Sequence, residues 1–267
     1  MTWIRGVLVT VAILPLAGCF QAATVIKLKA DGSGTIEQRL LLTEAAMEQL
    51  RGFAILSGGN AAGADPTSEA QARSLAESLG PGVTYVSSMP VKTETAQGRD
   101  SVYAFTDISK LHLSEQPRLP GGMTFSPGGT TNAGEITFVL TRDPDANALL
   151  RIQVPKFNLL PIPAGPNGAV MAPTAQQIDM VKGILAGARL TVGIEPEGRL
   201  VRTSSPFVEG NRVTLIDLDF DKAAADPDLA TKLQSLKTPD DVKATIASLQ
   251  GVRITLDPEI SITFAPQ

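Results

Sequence analysis

Over much of this chain apolar residues alternate with polar ones, the period-two pattern of strands half buried in a sheet. In Thr24-Val25-Ile26-Lys27-Leu28-Lys29 the lysines alternate with Ile26 and Leu28. In Thr35-Ile36-Glu37-Gln38-Arg39-Leu40 polar side chains alternate with Ile36 and Leu40. Asp31-Gly32-Ser33-Gly34 lies between the two runs and predicts a hairpin turn. It does not read as a phosphate loop, because no Lys-Ser/Thr pair and no helix start follow it. Further strands are predicted at 83–86, at 211–220, at 253–256 and at 260–264. Three more hairpins are expected. One joins 91–95 to 101–105 through Gln97-Gly98-Arg99-Asp100. One joins 135–140 to 149–154 through Asp143-Pro144-Asp145-Ala146-Asn147. One joins 190–194 to 199–202 through Glu195-Pro196-Glu197-Gly198.

Helical spacing interrupts the strands. Thr43 is placed to cap a helix over 44–55, and Asp65-Pro66 to open one that stops at Gly80. Residues 175–186 and 227–236 are helical in pattern. Thr238-Pro239-Asp240-Asp241 is a capping box with proline at the first helical position, starting a helix to about 250. Three of these helices end at a glycine before a strand, at Gly80, Gly187 and Gly251. That regularity reads either as a degenerate duplication or, as we favour, the ordinary glycine stop. Sequential hairpins favour antiparallel pairing. The expected fold class is therefore α+β: one antiparallel sheet built from hairpins, with helices packed mainly on one face, in a single domain over 24–267.

Composition narrows the chemistry. The 267 residues are 43% hydrophobic, 4% aromatic and 19% charged, with a formal net charge of −4, enough apolar content for a sizeable core. A mildly acidic chain without a basic cluster is a poor nucleic-acid binder and has no polybasic patch for anionic headgroups. The only histidine is His112 and the only cysteine is Cys19, so a zinc site built from Cys and His is not expected. No Gly-x-Ser-x-Gly or His-Glu-x-x-His motif occurs. His112 alternates with Leu111 and Leu113 and is expected to face solvent beside a strand. Asp217, Asp219 and Asp221, with Asp228 eleven positions after the first, have the spacing of a calcium loop. Lys222 stands where that loop needs glycine, so an acidic outer strand face is the better reading and a low-affinity cation site the weaker one. No cofactor is expected.

The N-terminus carries its own pattern. Arg5 precedes an apolar run from Val7 to Leu16, about ten residues, where a spanning helix needs roughly 20. The run closes on Leu16-Ala17-Gly18-Cys19. This resembles the export signal and lipobox of bacterial lipoproteins. The resemblance implies a diacylglycerol thioether on Cys19, cleavage between Gly18 and Cys19, and acylation of the new amino group. It also accounts for a single cysteine, which would have no disulfide partner in an exported chain. The signal would be 1–18 and the lipidated residue with its tether 19–23, reaching at most about 17 Å. Phe20, in place of Asp after the cysteine, leans toward the outer membrane by analogy with sorting in other bacteria.

The 155–173 loop has five prolines, which block helix and central strand, and carries Phe157, Leu159, Leu160 and Ile162. Its side chains either fold back over a sheet or contact the membrane or a partner.

Further along, the first strand entering Asp31-Gly32-Ser33-Gly34 is followed by helices. Later comes a hairpin at Gly198, then Ser204-Ser205-Pro206-Phe207-Val208-Glu209-Gly210-Asn211 leading into a strand. This ensemble resembles the LppM-type periplasmic domain of actinobacterial lipoproteins over about half of the mature chain. That resemblance implies lipid binding and no known enzymatic activity. The expected function is a periplasm-facing envelope lipoprotein, a non-catalytic binding or structural module whose partners are the membrane and either lipid or another envelope protein. The alternative is a carboxylate-dependent hydrolase acting on an envelope glycan. Such hydrolases usually carry aromatic platforms for sugars, and the only tryptophan, Trp3, falls in the cleaved signal, which argues against that alternative.

Overall fold

The Asp31–Gly34 turn and the alternation around it start the fold. The computed structural model describes residues 20–48, 65, 67–114, 135–142, 147–154, 174–236 and 238–266. In it β1 (Phe20–Leu28) pairs antiparallel with β2 (Gly34–Thr43), from Phe20 opposite Leu42 to Leu28 opposite Gly34. Asp31 accepts hydrogen bonds from the Ser33 amide at 2.9 Å and the Ser33 hydroxyl at 2.7 Å. Gly32 has φ 92°, a conformation that glycine adopts without strain.

Two sheets form instead of one. The larger runs in the order β10 (Val208–Glu209), β11 (Arg212–Asp219), β8 (Arg189–Pro196), β1, β2, β4 (Ala96–Phe105), β3 (Thr84–Lys92), with β12 (Val252–Ile254) also paired to β11. The smaller runs β5 (Leu113–Ser114), β6 (Glu135–Arg142), β7 (Ala148–Gln153), β13 (Glu259–Pro266), β9 (Gly198–Thr203). The fold is mostly β, and β1 and β8 are parallel, which corrects the expectation of one antiparallel sheet. The helices do not clearly cover one face, a second correction. They are α1 (44–48 described), α2 (Glu69–Ser78), α3 (Ala175–Leu185), α4 (Phe220–Ala224), α5 (Leu229–Gln234) and α6 (Pro239–Ser248).

Two of the later hairpins come out differently. The β6–β7 pair forms as expected. The expected pair of 190–194 with 199–202 does not: β8 stays in the larger sheet while β9 joins β13 in the smaller. The chain changes sheets at Glu197, whose amide donates to the Leu28 carbonyl at 2.7 Å. Asn211 holds the corner. Its amide nitrogen donates to the carbonyls of Pro196 and Gly198, and its oxygen accepts from the Leu200 amide at 2.8 Å. The β3–β4 turn also moves, from Gln97–Asp100 to Thr93-Glu94-Thr95, closed by a bond from the Ala96 amide to the Thr93 hydroxyl at 3.0 Å. Gly98 is a strand residue, since a Cβ there would collide with the Leu40 carbonyl.

Helix starts follow local chemistry. Thr43 caps α1, with its hydroxyl 3.3 Å from the Ala46 amide. The Thr238 box is complete. The α2 cap is Ser68, not Asp65, which instead accepts from the Thr67 amide at 2.9 Å.

The core lies between the two sheets. Ile194, Ile26, Ile36 and Tyr103 lie side by side on adjacent strands of the larger sheet, each fully buried. Phe138, Leu150, Ile152, Ile262 and Phe264 of the smaller sheet belong to the same apolar cluster. The opposite face of the larger sheet is laced with ion pairs: Lys27–Glu37 at 2.6 Å, Arg39–Asp100 at 2.6 Å and Arg212–Glu195 at 3.0 Å. Such exposed pairs contribute little stability each but keep that face in water. At the β3 edge a bulge turns Val86 outward, and Pro90 offers no N–H, which makes the edge a poor template for further pairing.

Candidate functional site

Cys19 and Gly18 lie outside the described residues, as do Phe157, Leu159, Leu160 and Ile162 of the 155–173 loop. What the structure does place is the segment that follows Cys19. Residues 20–23, expected as a tether, are the first residues of β1. The reason is pairing on both sides: Phe20 lies opposite Leu42, and Gln21 opposite both Leu41 and Arg189.

Two structures flank this start. On the β2 side the chain bends into α1, and Phe20 and Leu40 pack against buried Leu42, Ala46 and Met47. On the β8 side β11 ends at Asp219, which caps α4 by accepting from the Lys222 amide at 3.2 Å. Asp219 also pairs with Arg189 at 2.9 Å and with the Lys222 ammonium at 3.3 Å. Burial acts to raise its carboxyl. The Lys222 amide and side chain, together with the Arg189 charge, outweigh burial and hold it below the usual carboxylate range. Asp221 accepts from the Gly187 amide at 2.6 Å and so fixes the loop that leads into β8.

The sign of the Asp219 effect follows from its lowered folded value. The stabilisation is present above the unfolded carboxylate pKa of about 3.9 and is lost as pH falls through the folded value. Urea unfolding of Asp219→Asn should show a loss of about 1 kcal/mol at pH 7, discounted because Arg189 and Lys222 are largely exposed. Wild type and variant should converge in acid. A gap that stays constant with pH would mean the charge is not its cause.

The calcium-loop spacing does not produce a site. The strand ends at Asp219, so the alternation that would align Asp217, Asp219 and Asp221 stops there. Asp219 is 7% exposed and not part of an acidic outer face, which corrects that expectation. Asp217 instead faces the Thr191 hydroxyl at 3.4 Å. Among the described residues no group of three His, Cys, Asp or Glu side chains is placed to hold a metal ion. His112 is exposed, and its amide donates to the Leu79 carbonyl at 2.8 Å.

Two carboxylates among the described residues are buried, Asp219 and Asp226, and they bear on the hydrolase alternative. Asp226 pairs with Lys232 at 2.7 Å, and that contact holds it below its usual range. A glycosidase acid needs the opposite shift. Neither Asp219 nor Asp226 fits that role.

Sequence reasoning missed one polar cluster, on the inner face of β3 and β4. Arg99 donates to the Thr67 carbonyl at 2.6 Å and to Ser88 at 2.7 Å, and Ser88 meets the Tyr85 hydroxyl at 2.8 Å. Arg73 stacks 4.3 Å over the Tyr85 ring. Tyr103 packs edge-on against Tyr85, its hydroxyl buried with no hydrogen-bond partner among the described residues. Burial pushes that phenol up. The misplaced turn concealed the cluster, because Arg99 was read as a turn residue.

No family model matches the sequence, and no curated protein matches it. Among solved structures the chain is similar to the folded domain of the Mycobacterium tuberculosis LppM protein, determined by NMR. The identity is 10%, covering 96% of this chain and 95% of that one, at a TM-score of 0.32. No residue role is transferred through this likeness.

Proposed function

We propose that the protein is a lipid-anchored envelope protein whose folded domain is a non-catalytic binding or structural module at the membrane surface, facing the periplasm. One observation carries this reading. The only cysteine closes the Leu16-Ala17-Gly18-Cys19 motif, and the next residue, Phe20, is in strand β1. Cleavage at Gly18–Cys19 would remove the export signal and leave the domain whole. No helix among the described residues is long and apolar enough to cross a membrane. The finer reading, lipid as ligand, draws on the inner face of the larger sheet. There Ala22, Thr24, Leu40, Leu190 and Val192 are only half-buried. Growth with labelled palmitate tests the anchor: label is expected on the wild type and not on Cys19→Ser. An unlabelled wild type would overturn the reading. Mass spectrometry of molecules co-purifying with the domain tests the ligand.

A further inference from the structure

We infer that the protein meets the bilayer with one defined rim of its larger sheet, made by the start of β1, the β2–α1 corner and the start of β8 with α4. The partner of that rim is the lipid headgroup surface. This rests on the anchoring reading above.

A five-residue tether would let the domain tumble over the membrane. The structure has no such tether: one peptide unit, about 3.8 Å between Cα atoms, separates Cys19 from the first strand residue. That strand is not an edge. It pairs with β2 from Phe20 and with β8 from Gln21. An edge strand can fray by breaking one ladder. Releasing the start of β1 breaks two, so the sheet follows wherever Cys19 is held.

Strand directions decide what else lies at this rim. β2 is antiparallel to β1 and brings its end there, with Thr43 leading into exposed Glu44 and Ala45. β8 is parallel and brings its start, Arg189. β11 is antiparallel to β8 and brings Asp219 and α4. β4 is antiparallel to β2, so its start at Ala96 and the Thr93–Thr95 turn leading into it lie at this same end. The rim carries both signs, Arg189 and Lys222 against Glu44 and Asp221. Proximity imposed by the covalent anchor, and not net charge, brings it to the headgroups, so anionic lipid is not required. The Gly32 turn and Thr106, at the opposite end, face away.

The test uses the full acylated chain. With the Cys19 sulfur in a thioether, a cysteine introduced at Ala45→Cys or Thr106→Cys is the one reactive thiol and takes an environment-sensitive fluorophore. The labelled proteins are reconstituted into phosphatidylcholine vesicles carrying a headgroup spin label. Fluorescence loss is expected at position 45 and not at 106, unchanged when phosphatidylglycerol is added. Inserting about ten Gly/Ser residues between Cys19 and Phe20, a coil spanning about 17 Å, should remove the difference. Equal quenching at both positions in protein whose intact mass includes the lipid would overturn the rim alone. An intact mass without lipid would overturn the anchoring reading and the rim with it.

Discussion

Replacing Cys19 by serine should move the protein from the membrane fraction to the soluble fraction. Each buried CH₂ of an acyl chain contributes about 0.8 kcal/mol, and one chain gives only marginal, reversible binding. A diacylglyceryl group supplies two chains, so wild type should stay with the membrane through repeated washing. The serine variant has no thioether, and the described residues offer no spanning helix in its place. Membrane flotation reads the outcome. Wild type floats with lipid and Cys19→Ser remains at the bottom of the gradient. If a substantial share of the variant still floats and its intact mass shows that residues 1–18 have been removed, the domain itself binds lipid. The apolar side chains Phe157, Leu159, Leu160 and Ile162 are then the first to delete.

Phe264→Ala should cost about 3–5 kcal/mol, the range for removing a buried aromatic ring. Phe264 is fully buried on β13, between Ala148 of β7 and Leu200 of β9. Total stability of a domain is only about 5–15 kcal/mol, so the melting temperature should fall by roughly 6–20 °C. Val201→Ala, on the neighbouring strand and 45% exposed, is the control and should change stability by less than about 0.5 kcal/mol. The position of the ring makes a sharper demand. It belongs to the same cluster as Ile26, Ile36 and Tyr103 of the larger sheet. Hydrogen exchange should therefore quicken in both sheets together. Faster exchange in the smaller sheet alone would show that the sheets do not share one cooperative core.

The candidate anchor was legible because export and acylation act on a short linear segment. Its geometric meaning was not. Residues 20–23 read from the sequence as a tether, and pairing partners far along the chain made them strand. The Arg99 cluster was hidden for the same reason. Gly98 has the look of a turn glycine, yet its lack of a side chain serves close approach to the Leu40 carbonyl. Asp219 looked like an outward acid on an alternating strand. It is buried because the strand stops there and its carboxylate caps the helix that follows while pairing with Arg189.

By itself the sequence determined the β1–β2 and β6–β7 hairpins, the caps at Thr43 and Thr238, and the glycine stops. Gly80, Gly187 and Gly251 all take positive φ. Each of these depends on residues within a few positions, whose sterics and hydrogen bonds act whatever the rest of the chain does. Only the tertiary structure decided how the hairpins assemble. Leu190–Ile194 alternates as well for a partner at 199–202 as for β1, and alternation carries no information about which ladder forms. Asn211, 13 positions beyond Gly198, ties the corner so that β8 stays in one sheet and β9 enters the other. The shared core between two sheets and the strand that begins one residue after Cys19 follow from that choice of partners.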